Sequence, residues 1–197
     1  MLIPGFLAGD ASLTRMAVWL RTGGFKPARS GVTWNVACME ETLTRLEQRL
    51  EASVEAAEQP ALLVGQSRGG TMARALTARR PDLVDTLITL GSPVLDQLAV
   101  HPNQWVPIGA VGLLGTIGVP GFFGLSCIRG DCCAQAKADL VAPFPGDVEY
   151  LAVFSRSDEV VRWQACVEPA ASAIEVASSH VGMGFDVEVW RRLAQAL

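Results

Sequence analysis

The sequence predicts an α/β chain with a mostly parallel sheet covered by helices on both faces. Three observations lead there. Short apolar runs at 61–64, 86–90 and Glu149–Phe154 have strand length and contain no period-two polar face. Such runs suit strands buried on both sides. Between them lie segments of helical period, clearest in Met39–Ala57, where Leu43, Leu46, Leu50 and Val54 recur at spacings of three and four. Strand and helix then alternate along the chain, the pattern of crossover connections between parallel strands. With 197 residues, half of them apolar, the chain reads as one domain spanning 1–197 with a full core. A net charge of −4 and the lack of a basic cluster exclude nucleic acid as an expected partner.

Taken in order, Leu2-Ile3 is a short buried strand that breaks into the loop Pro4-Gly5-Phe6-Leu7-Ala8-Gly9. Thr14–Thr22 follows with Leu13, Met16, Ala17 and Leu20 at helical spacing, and Gly23-Gly24 stops it. Residues 25–29 have the composition of a brief second strand. Pro60 ends the long helical region, and the next strand begins at Ala61. A helix over 71–79, a strand over 86–90, a strand over 149–154, a last strand over 173–177 and a terminal helix over Val187–Ala196 complete the alternation. Regularity fails over about 98–145, which reads as an insertion. No charged residue occurs there between Asp96 and Arg129, and glycine stands at every third position from Gly109 to Gly124. Six glycines with Pro107 and Pro120 argue against a stable membrane span. A pliable apolar flap over a site is the expectation, and contact with a lipid surface is compatible with it. A buried connection without a substrate role is the alternative.

Chemistry concentrates at Gly65-Gln66-Ser67-Arg68-Gly69-Gly70, directly after an apolar run and before a helical one. This is the strand–turn–helix context of a nucleophile elbow, which holds a serine hydroxyl clear of the sheet edge. Gly65 and Gly69 flank Ser67 where a Cβ would collide with the adjoining strand and helix. A serine needs a base to take its proton and an acid to orient that base. Of the two histidines, His180 follows the last predicted strand, whereas His101 lies inside the insertion and ahead of the acid. Asp158 sits four residues beyond the penultimate strand, in reach of a histidine on the next loop, with Glu159 as its neighbouring rival. The candidate catalytic set is therefore Ser67, Asp158 and His180.

With these motifs assembled, the sequence resembles the α/β-hydrolase superfamily, specifically small bacterial lipases and esterases. The resemblance covers nearly the whole chain through Leu2-Ile3-Pro4-Gly5-Phe6, the elbow, and Ser155-x-x-Asp158-x-Val160-Val161 followed by His180. It implies an oxyanion hole made by the backbone N–H groups of Phe6 and Arg68. It also implies a Ser-His-Asp hydrolase of carboxylic esters, acting on a small-molecule or lipid ester without metal or organic cofactor. An acyltransferase or thioesterase would use the same triad, and a non-catalytic binding protein on this fold would usually have lost a member of it. Pro4 and Gln66 stand where many relatives carry histidine. The usual leading strands are missing too, so a minimal or N-terminally shortened sheet is expected. Within the insertion, Leu113, Leu114, Ile117, Phe122 and Phe123 are the expected acyl-binding residues.

The first residues lack the basic and apolar stretches of a signal peptide, an expectation of the cytoplasm. Five cysteines bear on the same question. Cys127, Cys132 and Cys133 cluster, but sequence spacing offers no evident further ligands for a metal. A disulfide within that cluster, or from it to Cys166, is the expectation; it would point to an oxidising compartment.

Overall fold

The computed structural model describes residues 1–130 and 132–197. Five strands, β1 (Leu2–Ile3), β2 (Ala61–Gln66), β3 (Val84–Leu90), β4 (Glu149–Phe154) and β5 (Ser172–Glu175), form one sheet in that spatial order, every pair parallel. The register explains why the runs are apolar throughout. Leu2, Val64, Ile88 and Leu151 align across β1 to β4. They pack with Met16 and Leu20 of α1 (Thr14–Thr22) and with Val189 and Leu193 of α7 (Val187–Ala196). The next row, Leu63, Leu87 and Tyr150, faces the other way. It meets Leu43, Leu46 and Leu50 of α2 (Met39–Ala57), Met72 and Leu76 of α3 (Arg68–Arg79), and Ala136 and Leu140 of α6 (Ala134–Val141). Each fully buried leucine contributes about 1.5–3 kcal/mol of transfer free energy to these two cores.

Residues 25–29 do not form the expected strand. Only Arg29 bridges Leu2, and Leu2 N–H donates to Ala28 O at 3.2 Å. Gly24 at φ 89° has just turned the chain, and Pro27 has no N–H to extend a ladder. The expected insertion carries α4 (Trp105–Thr116), α5 (Leu125–Arg129) and α6. Pro107 falls in the first turn of α4, where a missing N–H costs nothing. No helix among the described residues is long and apolar enough to cross a membrane.

Both ends of this segment are tied to the rest of the fold. At its start, Val100 bridges Val161 and His101 N–H donates to Val160 O at 2.9 Å. At its end, the buried Arg74 of α3 pairs with Glu168 at 2.7 Å and donates to the carbonyls of Asp139 (3.1 Å) and Ala142 (2.7 Å). With all these acceptors present, the desolvated guanidinium is compensated.

Candidate active site

The site gathers at the carboxyl ends of the strands, where parallel sheets place their loops. Ser67 leaves β2 at φ 52° and ψ −126°. A non-glycine residue there carries about 1–3 kcal/mol of strain, held only if its surroundings over-determine it. They do so here. Ser67 N–H donates to Leu90 O at 2.8 Å, and Ser67 O accepts from Gly70 N–H (2.9 Å) and Thr71 N–H (3.2 Å). A Cβ on Gly65 would come within 2.4 Å of Gly70 Cα, and one on Gly69 within 2.3 Å of Ile3 O. The strand and helix close on each other so tightly that only hydrogen fits at both positions.

Asp158 and His180 meet across two loops. Asp158 Oδ2 lies 2.7 Å from His180 Nδ1, and both side chains are almost fully buried. Asp158 Oδ1 accepts from the N–H groups of Val160 and Val161, each at 2.8 Å, so the carboxylate is fixed in orientation. Glu159 plays a different part: its Oε2 accepts from His180 N–H at 3.3 Å. Gln66, next to the serine, donates from Nε2 to His180 O (3.1 Å) and Val181 O (3.3 Å). Gly91, just past β3, closes the floor: a Cβ there would sit 3.0 Å from Asp158 Oδ2 and 3.2 Å from His180 Nδ1. Among the described residues Ser67 Oγ makes no hydrogen bond to the imidazole; the link between the two loops runs through Gln66, the chain neighbour of Ser67. His101 is held by its backbone to Val160.

The loop after β1 approaches the serine from the other side, for a Cβ on Gly5 would lie 3.2 Å from Ser67 Cβ. Asn35, 1 % exposed, donates from Nδ2 to Pro4 O at 2.7 Å, and Trp34 Nε1 donates to Leu7 O at 2.9 Å. The Arg68 guanidinium donates to Asn35 Oδ1 (2.6 Å), Asn35 O (3.0 Å) and Ala37 O (2.7 Å), and stands 5.3 Å over the Phe123 ring. Burial pulls its pKa down to about 10, opposed by attraction to the thiols of Cys133, Cys127 and Cys38. Among the described residues neither the Phe6 N–H nor the Arg68 N–H donates to a protein acceptor. Both are thus available to a ligand.

Ser67, Arg68 and Phe6 open on a cavity of about 400 Å³. Its other walls are mainly apolar, including Leu95, Leu98, Ile108, Phe123, Ile128 and Val160. That size suits a small organic ligand. Of the five residues expected to bind an acyl group, Phe123 lines it, whereas Leu113, Leu114, Ile117 and Phe122 do not. Leu113 and Ile117 are 57 % and 69 % exposed, and Phe122 packs edge-on against Trp34 at 5.3 Å. The helix α4 is apolar around its whole circumference, so periodicity carries no sign of which side faces the cavity. Ile108 occupies that side instead. The roles of Asn35 and Gln66 have no mark in motif or spacing either. For Gln66 the signal is a polar side chain beside the nucleophile, where many relatives carry histidine.

All five cysteines are free thiols. Cys166 is buried with Val100, Phe154 and Val161, so the expected bridge to it is not formed. The other four lie together, because Cys38, remote in sequence, joins Cys127, Cys132 and Cys133.

No protein-family model and no curated protein sequence matches the chain. Solved structures do. The chain is similar to Bacillus licheniformis lipase BlEst2 in its mature form, at TM-score 0.74 and 13 % identity over 99 % of this chain and 89 % of that one. It is similar to a soluble variant of monoglyceride lipase from Saccharomyces cerevisiae, at TM-score 0.67 and 14 % identity over 99 % and 84 %. A monoacylglycerol lipase of Paleococcus ferrophilus aligns at TM-score 0.63 and 11 % identity over 99 % and 91 %. With the all-parallel sheet, these likenesses establish the α/β-hydrolase fold in a minimal form.

Proposed function

We propose that the chain is a serine hydrolase of carboxylic esters in which Ser67 is the nucleophile, His180 the general base and Asp158 the orienting acid. One observation carries this reading: a strained serine at an elbow stands at the same carboxyl edge of the sheet as a buried, fully oriented Asp158–His180 pair.

His180 with Nδ1 protonated donates to Asp158, which leaves Nε2 to accept the Ser67 proton as Oγ attacks the ester carbonyl. The carbonyl oxygen becomes an anion facing the Phe6 and Arg68 N–H groups, each worth about 3 kcal/mol there. Collapse expels the alcohol, protonated by the imidazolium, and leaves Ser67 acylated. Water, deprotonated by His180, then releases the acid and restores the serine. Protein groups and water account for every step. Glu159 and Gln66 hold the His180 backbone through opposite ends of the same residue, so the ring stays aligned while its charge changes.

The apolar cavity supports an acyl group of short to medium length. The neighbouring lipases, named for lipid esters, and the exposed Val106 and Leu113 on α4 with Ile117 just past its end support a substrate presented at a lipid surface. Replacing Ser67→Ala is expected to abolish hydrolysis of p-nitrophenyl butyrate while thermal unfolding stays within a few degrees of wild type. A fluorophosphonate should label wild type at Ser67 and spare the variant. Turnover above a trace in Ser67→Ala, or labelling elsewhere, would remove the assignment.

A further inference from the structure

Outside the Ser67 site the densest group of reactive side chains is four thiols. Cys38 immediately precedes α2, Cys127 belongs to α5, and Cys132 and Cys133 precede α6. Their Sγ atoms all lie within 4.8 Å of one another. Cys38 is 3.7 Å from Cys132 and 3.6 Å from Cys133, and Cys132 is 3.6 Å from Cys133. Four sulfurs around one zinc at about 2.3 Å would stand about 3.8 Å apart along each tetrahedral edge. Of the six separations these three already have that length, and those from Cys127 to Cys38 and to Cys133 are within 4.8 Å. The sixth, Cys127 to Cys132 at 2.7 Å, would open by about 1 Å to admit the ion.

We infer that Cys38, Cys127, Cys132 and Cys133 form a tetrathiolate site for a single zinc ion, which clasps the insertion to the start of α2. Soft thiolates in a tetrahedral set select zinc over hard cations. The surroundings are built for the resulting charge. Zinc binding expels four thiol protons to solvent and leaves a complex of net charge −2. Cys38 and Cys133 occupy the N-cap positions of α2 and α6, where the helix dipole favours anions. Arg68 lines the same cavity as Cys127 and Cys133 and carries a compensating positive charge. The two helices are themselves locked together, since Glu40 accepts from Ala136 N–H at 2.8 Å and Arg79 of α3 pairs with both Glu40 (2.9 Å) and Asp139 of α6 (2.6 Å). Cys132 is exposed, which gives an ion a way in. Cys127 and Cys133 also line the cavity, so the ion would fix one wall of the candidate acyl pocket.

The test is elemental analysis of the full chain purified with reductant and without chelator. The expected content is about one zinc ion per chain, with thiols that react with a mercurial only as zinc is released. Cobalt should replace zinc and show the sulfur-to-metal charge transfer and visible d–d bands of a tetrahedral thiolate complex. Cys38→Ser should lose the metal, Cys166→Ser should keep it, and chelation should lower the wild-type Tm by about 5 °C or more. Should Cys38→Ser fail to fold, the wild-type zinc content and cobalt spectrum still decide. A metal-free chain bridged within the cluster, iron in place of zinc, or zinc retained by a folded Cys38→Ser would overturn the inference. None of these readouts depends on Ser67, so the outcome is separate from the hydrolase reading.

Discussion

Replacing Asp158 by asparagine tests the proposed site where the structure constrains it most. The swap is nearly isosteric, so its effect turns on which way the amide faces. Val160 and Val161 both donate N–H to Oδ1 at 2.8 Å, and only the amide oxygen can replace that acceptor. The amide NH₂ must then face His180 Nδ1, in the place of the Oδ2 that now lies 2.7 Å away. An NH₂ there demands an unprotonated Nδ1, which puts the ring proton on Nε2 and leaves nothing to accept the Ser67 proton. Turning the amide over to rescue the tautomer would leave two buried N–H groups facing NH₂. At about 1–3 kcal/mol each, the productive arrangement lies about 2–6 kcal/mol above the unproductive one. That converts to a loss of about 30-fold to 10⁴-fold in rate, before the weaker stabilisation of imidazolium is added.

Steady-state hydrolysis of p-nitrophenyl butyrate is the assay, with kcat as the sensitive parameter and KM within a few-fold of wild type. Glu159→Gln is the matched control. It retains a carbonyl oxygen for the His180 N–H that Glu159 accepts at 3.3 Å, so its rate should stay close to wild type. If Asp158→Asn keeps a tenth or more of the wild-type rate, or if Glu159→Gln is the crippled variant, the carboxylate assignment is wrong.

Two further outcomes follow from the same geometry. Phe123→Ala should cut kcat/KM for a medium-chain ester by tens-fold relative to acetate, from two or three methylenes at about 0.8 kcal/mol each, while Leu113→Ala leaves the ratio unchanged; equal losses on both esters would make Phe123 a core residue only. Gln66→Leu removes the donor to His180 O and Val181 O and should lower kcat about 10- to 100-fold with little change in KM, as kinetics beside a melting curve would show.

What could be read in the sequence is what local constraint imposes. The rows Leu2–Val64–Ile88–Leu151 and Leu63–Leu87–Tyr150 face opposite cores, so each strand had to be apolar at successive positions, and the parallel sheet shows in the runs themselves. The elbow is legible for a similar reason: the approach of Gly65 to Gly70 admits no Cβ, and that demand is written within a few residues. Residues 25–29 mislead because a single bridge to Leu2 needs the same composition as a strand. The pocket wall is a different case. Along α4 every face is apolar, so Ile108 and Leu113 look alike until tertiary packing turns one toward Ser67 and the other toward solvent. Cys38 is the sharpest instance. Its place beside Cys132 and Cys133 is set by α2 lying against α6, through Glu40 and the Ala136 N–H, and neither helix carries a local mark of the other. Spacing rules find metal ligands when two or more share a turn. Here one ligand comes from the edge of the sheet core and three from the insertion, so the site exists only once the insertion has docked. Docking and thiol clustering are therefore one event, and an ion held there would report on the closed pocket.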